Sequence, residues 1–196
     1  MKSAKTKSQT AHITFFDLED AFGSVPHPLI LQSLRRFHFP PEIQYYINTL
    51  YSNQRSRVFT KTYNTSEFPF RPGVFQGDPL SPIIFLMVFN PIIEFLQAES
   101  RHGFNLEGEN FITLPYADDF CLITTNKRTH QRLMNAIDSK IRSMGMKLKP
   151  VKCRTFSIKS GTPWDINFNI GDNTIPTIFM DEQKFLGKLL FPPWKV

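Results

Sequence analysis

Short apolar runs separated by turn-forming residues predict β-strands along much of the chain. β-branched and aromatic residues at 13–16 indicate a buried strand that ends at Asp17. Further strands are expected at 154–159, 165–170 and 174–179, and hairpins at 55–70, 111–124 and 183–191. The hairpin at 111–124 places Asp118 and Asp119 at its bend.

Apolar residues at helical spacing predict helices between these strands. They are expected at about 26–38, 43–50, 82–96 and 127–144, and Gly145 ends the last of them. Prolines near the start of several of these segments suit the first helical turn, where a missing N–H costs nothing. Residues 1–11 are expected to form a flexible leader. The order of strands and helices indicates an α+β fold, with helices packed on one face of a sheet.

Length and composition fit one domain with a hydrophobic core. The chain has 196 residues, of which 41% are hydrophobic and 20% charged. Its longest unbroken apolar run, 83–89, is far shorter than the roughly 20 residues of a membrane span. The N-terminal residues show no apolar stretch of the signal-peptide type. The two cysteines, Cys121 and Cys153, cannot build a disulfide framework. We therefore expect an intracellular protein, with the nucleus as one destination, and no membrane contact.

Positive charge is concentrated between residues 127 and 154. The net charge of the chain is +6, yet this segment has nine Lys or Arg residues and one acid, Asp138. Such a concentration favours a surface that faces phosphate groups. A solvated basic helix face is the alternative.

Acidic residues stand where apolar strands would otherwise exclude charge. Asp17 ends one strand, and Asp118 and Asp119 lie at a hairpin bend. A turn or cap role explains each of them separately. Together on neighbouring strands, three carboxylates form a site for hard divalent cations, with Mg²⁺ the natural candidate. Two such ions can activate a hydroxyl and stabilise a leaving pyrophosphate.

Five segments resemble motifs A to E of reverse transcriptases, in the family's order. They are FDLEDAFGSVPH (16–27), GVFQGDPLSP (73–82), YADD (116–119), GMKLKPVKC (145–153) and KFLG (184–187). The second segment favours the non-LTR (LINE-like) retrotransposon group. The resemblance implies an RNA-directed DNA polymerase with a palm fold, which is α+β with a small antiparallel sheet, ferredoxin/RRM-like, backed by helices.

The resemblance also implies catalytic roles. Asp17 and Asp118 would be the main ligands of two Mg²⁺ ions, which Mn²⁺ can replace, and Asp119 would support them. Lys152 would donate a proton to the leaving pyrophosphate.

Binding roles are implied in the same way. Phe22 would exclude a ribose 2′-hydroxyl, and Gln76 and Gly77 would line the nucleotide pocket. The substrates would be an RNA template, a DNA primer and dNTPs. The residues implied to contact nucleic acid, including a primer grip at 185–187, are Lys127, Arg128, Lys147, Lys149, Phe185, Leu186 and Gly187.

Some positions and segments depart from the family pattern. Asp20 stands where the group often has Lys, and Gly23 where it often has Asp, so a charge pairing is lost; Phe75 replaces Arg or Leu. We expect one palm domain over 12–196, with 28–70 as an insertion derived from the fingers. The fingers are otherwise expected to be largely absent and the thumb absent, which predicts little activity for the isolated chain.

Two other functions are consistent with parts of the pattern. One is a non-catalytic nucleic-acid-binding protein derived from a retroelement, which would use the basic segment. The other is a nucleotide cyclase or similar palm enzyme. The motif at 73–82 argues against the cyclase, because a cyclase needs no template contact.

Overall fold

The computed structural model describes residues 9–69, 72–178, 183–185 and 188–190. These residues include helices α1 (His27–Arg36), α2 (Pro41–Ser52), α3 (Leu80–Ala98) and α4 (Lys127–Ser143). The strands are β1 (Ala11–Phe16), β2 (Arg55–Ser56), β3 (Phe68–Pro69), β4 (Phe104–Leu106), β5 (Glu109–Phe111), β6 (Phe120–Thr124), β7 (Arg154–Lys159), β8 (Thr162–Pro163), β9 (Phe168–Ile170), β10 (Asn173–Ile175), β11 (Gln183–Phe185) and β12 (Lys188–Leu190). The chain divides into two compact units.

The first unit comprises 1–19, 91–143 and 147–196 and contains a four-stranded antiparallel sheet. Its strand order is β6-β1-β7-β8. The sequence places apolar residues of α4 at helical spacing, and this stripe packs on β6 and β9. Four residues of the stripe are completely buried: Leu133, Met134, Ile137 and Ile141.

The second unit comprises 20–90 and 144–146. Helices α1 and α2 pack against each other within it, and both begin at a proline-rich point, after Pro26 and Pro40 respectively. The backbone of Gly145, at φ +77°, follows the end of α4.

The structure confirms the predicted mixture of helices and small antiparallel sheets, with the helices and most strands near their predicted positions. Two predicted hairpins are less regular. At 55–70 the ladder is limited to two-residue strands and an isolated Phe59–Asn64 bridge. At 111–124 the first strand is not continuous: Phe111 pairs with Phe104 of β4 instead, whereas the predicted pairing continues through the Thr113–Leu122 and Tyr116–Asp119 bridges.

The predicted organisation, one palm domain over 12–196 with 28–70 as an insertion derived from the fingers, stays a prediction. The proposed insertion at 28–70 lies inside the second unit. Among the described helices, α3 alone is long and apolar enough to cross a bilayer. This is evidence from length and composition only, because core helices of globular proteins have the same properties. Ile84, Phe85 and Ile92 of this helix are buried.

Candidate active site

The β1–β6 ladder brings Asp17 and Asp119 to the same edge of the sheet. The paired residues run from His12 and Thr124 to Phe16 and Phe120. Asp17 and Asp119 are the next residues along these two strands. The rings of Phe16 and Phe120 stack beneath them at 4.7 Å. The aromatic pair therefore ends the buried ladder where the carboxylates begin.

Asp118 lies at the bend that connects to β6. The bend is closed by two backbone hydrogen bonds between Tyr116 and Asp119, of 2.7 and 3.0 Å. Ala117 adopts a positive φ of +53° there, a conformation that costs a residue with a Cβ about 1–2 kcal/mol. Asp118 and Asp119 are both exposed. The predicted bend with two carboxylates is confirmed as local structure.

The three carboxylates affect one another electrostatically. Burial raises the pKa of Asp17, Lys152 and Lys149 oppose that rise, and the charge of Asp118 adds to it. Partial burial raises the pKa of Asp119, and the charges of Asp118 and Asp17 raise it further. Like charges this close disfavour ionisation unless a cation joins them.

The donor set fits Mg²⁺, since carboxylate oxygens are the ligands that this ion prefers. In the part of the chain that the structure describes, however, no group of three or more His, Cys, Asp or Glu side chains is arranged to hold a metal ion. An ion bound here would thus need further oxygen ligands from water or substrate.

A loop from motif D runs beside Asp17. The Lys149 N–H donates to the Asp17 carbonyl at 2.8 Å, and the Glu19 N–H donates to the Lys147 carbonyl at 2.9 Å. These bonds, with the Leu18–Leu148 bridge between them, explain why Lys149 and Lys152 act on the Asp17 carboxylate. Lys147 and Lys152 are exposed.

Cys153 is a neighbour of Asp17 that sequence reasoning missed as a site residue. It is completely buried, and burial raises the pKa of its thiol to about 11. The thiol therefore stays neutral beside the carboxylate. A Cys directly after Lys152 in motif D was visible in the sequence, but nothing there placed it next to Asp17.

The basic segment divides into partnered and unpartnered parts. On α4, Arg132 pairs with Glu99 at 2.9 Å and Arg142 with Asp138 at 2.8 Å. Lys140 lies over the Phe95 ring at 4.8 Å. These contacts engage much of the helix charge inside the first unit, which favours the solvated-face alternative for the middle and end of α4.

The first turn of α4 is arranged differently. Lys127 and Arg128 are exposed. The Asn126 side chain caps this turn by accepting the N–H groups of Arg128 and Thr129 at 3.0 and 3.1 Å. Nucleic-acid contact by Lys127 and Arg128 stays a prediction.

In the second unit, Phe22 is half-buried and stacks on Phe85 at 5.0 Å with an angle of 12° between the rings. Its carbonyl accepts the Val74 N–H at 2.8 Å, and the Gly73 N–H donates to Val25 at 2.7 Å. The end of motif A is thereby joined to the start of motif B. A Cβ on Gly73 would lie 2.9 Å from the Gly23 backbone, so this approach requires glycine at position 73.

The departures at Asp20 and Gly23 fit each other. The Gly23 N–H donates to the Asp20 carboxylate at 3.3 Å. A Cβ on Gly23 would overlap that carboxylate. The missing Lys–Asp pairing is thus replaced by a turn in which Asp20 occupies the space above Gly23.

Gln76 and Gly77 are both exposed. Gly77 has a φ of +95°, and a Cβ there would meet nothing within 4 Å. Backbone conformation is therefore the reason for glycine within this chain, whereas close approach to a nucleotide stays a prediction.

Of the predicted primer grip, Phe185 lies in β11, which pairs with β12. Leu186 and Gly187 lie outside the described residues.

Comparison with known proteins decides the family. Residues 1–189 match the family described as reverse transcriptase (RNA-dependent DNA polymerase). The chain belongs to the reverse transcriptase family.

Its relatives include mobile-element proteins. A Pol polyprotein from a type-1 retrotransposable element R2 of Nasonia vitripennis is 32% identical, over 95% of this chain and 19% of the relative. The corresponding R2DM protein of Drosophila melanogaster is 30% identical, over 91% and 17%. The RNA-directed DNA polymerase from mobile element jockey of the same species is 23% identical, over 79% and 17%. This reverse transcriptase domain thus spans about a fifth of the length of these relatives.

Solved structures support the fold of the reverse transcriptase domain. Apo telomerase from Candida tropicalis superposes with a TM-score of 0.62 at 16% identity, over 88% of this chain and 32% of that chain. At this identity the likeness concerns the fold alone.

Proposed function

We propose that this reverse transcriptase domain is the palm of a non-LTR retrotransposon polymerase that copies an RNA template by adding dNTPs to a DNA primer. The observation that carries the proposal is the group of three mutually repelling carboxylates at the end of the β1–β6 ladder. Asp17, Asp118 and Asp119 stand at the family's motif positions, and no described ion pair neutralises them.

Two Mg²⁺ or Mn²⁺ ions would bind Asp17 and Asp118, supported by Asp119, with nucleotide phosphates and water as the remaining ligands. When bound, such ions activate the primer hydroxyl and stabilise the charge on the leaving pyrophosphate.

The chain's own residues would complete the reaction. Lys152, whose ammonium already acts on Asp17, would hold the proton that the pyrophosphate takes up. Phe22, fixed by its stack on Phe85, would exclude a ribose 2′-hydroxyl. Gln76 and Gly77 would contact the incoming nucleotide and the template.

The nucleic-acid path would be completed by basic residues and the motif E hairpin. Lys147 and Lys149 lie on the loop beside Asp17, and Lys127 and Arg128 on the first turn of α4. The primer grip would be formed by 185–187.

The test places this domain in a longer protein. The domain replaces the corresponding segment of the Nasonia vitripennis R2 polyprotein, and RNA-templated DNA synthesis is measured with Mg²⁺. Asp17→Asn and Asp118→Asn should each lower the rate about 100-fold or more, the scale of removing one charge-stabilising group from a preorganised site. Asp165→Asn, an exposed acid of the same unit, is the control and should leave the rate unchanged.

Metal binding is measured separately on the chain itself. Paramagnetic broadening by Mn²⁺ should centre on Asp17 and Asp118 and disappear in the double Asn variant. Undiminished synthesis by Asp118→Asn would refute the polymerase assignment. Nucleic-acid binding without synthesis in any chimera would favour the non-catalytic alternative.

A further inference from the structure

The loop that carries Gln76 and Gly77 is closed by one long backbone hydrogen bond, from the Asp78 N–H to the Phe75 carbonyl at 3.4 Å. Both residues are exposed, and the space beside Gly77 is open. At its far end, Asp78 caps α3: its carboxylate accepts the Leu80 N–H at 2.9 Å and its carbonyl accepts the Ser81 N–H at 3.1 Å. Apart from that long bond, the described contacts that set the conformation of the middle of the loop lie at 73–75.

Two aromatic side chains, those of His27 and Tyr51, make the contacts with Gly73 and Phe75. The His27 Nε2–H donates to the Gly73 carbonyl at 3.1 Å. The Tyr51 ring is stacked on Phe75 at 6.1 Å and 16°. Tyr51 also meets the His27 ring edge to face at 5.1 Å. His27, Tyr51 and Phe75 thus form a continuous row of rings from α1 and α2 to the loop.

The hydroxyl of Tyr51 reaches the other end of the loop. It faces Ser81 without closing a hydrogen bond of standard geometry, and both oxygens are buried. Burial raises the pKa of Tyr51, contact with Ser81 lowers it, and the charge of Asp78 raises it. The Tyr51 side chain therefore stays uncharged. It lies against Phe75 at one end of the loop and faces Ser81 at the other.

Resting on the proposed polymerase function, we propose that Tyr51 is a positioning residue that holds the Gln76–Gly77 loop in the conformation that receives the incoming dNTP. The ring is the main element, because its stacks on Phe75 and His27 are formed, whereas the hydroxyl bond is not.

The same helix offers a matched control. Tyr45 is 74% exposed and Tyr51 is 3% exposed. Loss of the Tyr45 ring should affect only the surface, whereas loss of the Tyr51 ring should free the loop. Tyr51→Phe keeps both stacks and serves as the conservative rescue.

The first measurement is amide hydrogen exchange in the full chain. Tyr51→Ala should speed exchange at 73–78 more than at residues of α1, whereas Tyr51→Phe and Tyr45→Ala should match the unmodified chain. If Tyr51→Ala does not fold, Phe75→Leu removes the ring from the loop side and should give the same result.

The second measurement is binding of a fluorescent dATP analogue, with Mn²⁺, to the chimera in which this domain replaces the corresponding segment of the Nasonia vitripennis R2 polyprotein. If the receptive loop conformation falls to about a tenth of molecules, the apparent Kd rises about tenfold. Tyr51→Ala or Phe75→Leu should show this rise, and Tyr51→Phe should restore the original Kd.

The outcomes separate the two proposals. Unchanged affinity in both ring-deletion variants would overturn the positioning role while leaving the polymerase function intact. No binding of the nucleotide by the unmodified chimera would overturn the proposed function and this role with it. Equal weakening by Tyr45→Ala would also overturn the role, because it would show a general effect of losing an aromatic ring from α2.

Discussion

The two units place their candidate site residues by different means. In the first unit, Asp17 and Asp119 extend an antiparallel ladder whose residue pairs continue without a break from His12–Thr124 to Phe16–Phe120. In the second unit, Phe22 and the Gln76–Gly77 loop are held by stacked rings and by the close approach of Gly73 to Gly23. A ladder fixes position through many backbone bonds, whereas the loop depends on a few backbone bonds and stacked rings.

This difference predicts where each site is vulnerable. Strand register is specified by the buried faces on either side, so a single surface substitution near Asp17 should change charge without moving the backbone. The second site should instead respond to substitutions distant in sequence, such as those at Tyr51 or His27. The comparison can be tested on each unit by perturbing the element that supports it.

The largest expected effect is acid destabilisation of the first unit. His12 Nδ1 is 2.8 Å from Ser157 Oγ, and His130 lies between Thr14 and Thr124 at 2.7 and 2.9 Å. Burial, helped by the charge of Lys127, lowers the pKa of His12 from 6.5 to about 4. Burial also lowers the pKa of His130, well below its ordinary value.

Both groups therefore stay neutral in the folded chain while the unfolded chain takes up protons. Stability should be complete above about pH 6.5 and fall as the pH drops toward 4, by about 3 kcal/mol for His12 alone. Urea unfolding at pH 7 and pH 5 measures this, with hydrogen exchange assigning the loss to each unit. His12→Gln should reduce the pH dependence, and an equal dependence in both proteins would contradict the prediction.

The second unit provides the contrast in this experiment. Burial lowers the pKa of His27 as well, but its Nε2–H already donates to the Gly73 carbonyl. That bond survives protonation, so the second unit should lose less protection on acidification. Loss confined to the second unit would reverse the comparison.

The sequence predicted the ladder better than the loop, for a physical reason. The apolar strand at 13–16, which ends at Asp17, and the apolar strand at 120–124, which follows Asp119, have a local sequence signal. Alternation and burial can be predicted from neighbouring residues in the chain. Predicted helices were confirmed on the same ground. The hairpin strand at 111–114 was predicted only in part, because the partner of Phe111 lies in β4, which alternation cannot identify.

Contacts between residues that are far apart in the sequence have no comparable local pattern from which they could be predicted. Tyr51 is one of several tyrosines on or near α2, and only the structure distinguishes it by its contact with Phe75. Cys153 beside Asp17 is a similar case. The Asp20 and Gly23 departures looked like losses in the sequence, whereas the structure shows one carboxylate filling the space that the glycine leaves.

The next effect in size distinguishes two glycines of motif B. Gly73 and Gly77 both have positive φ, of +102° and +95°. Gly73→Ala would add a clash with the Gly23 backbone to the conformational strain, whereas Gly77→Ala would add strain alone. We expect Gly77→Ala to cost about 1 kcal/mol of unfolding free energy and Gly73→Ala about 2 kcal/mol more.

Hydrogen exchange at Val74, whose N–H donates to the Phe22 carbonyl, measures both variants in the second unit. The first unit should exchange as before. Equal costs for the two substitutions would show that the approach of Gly73 to Gly23 does not hold this part of the second unit.

The smallest expected effect concerns the bend at Ala117 in the first unit. Its φ of +53° is strained for alanine, and glycine removes about 1–2 kcal/mol of that strain. Glycine also gives the unfolded chain more freedom, which costs about 0.5–1 kcal/mol. Ala117→Gly should therefore stabilise the chain by up to about 1 kcal/mol, as urea unfolding measures. Ser160, at φ +48° in the β7–β8 turn, is the matched position, and Ser160→Gly should stabilise similarly.

The two variants should differ in the chimeric polymerase, because only the bend at Ala117 positions Asp118. Synthesis should fall in Ala117→Gly and stay unchanged in Ser160→Gly. Equal synthesis in both would show that the ladder alone places the carboxylates and that the strained bend contributes nothing to their alignment.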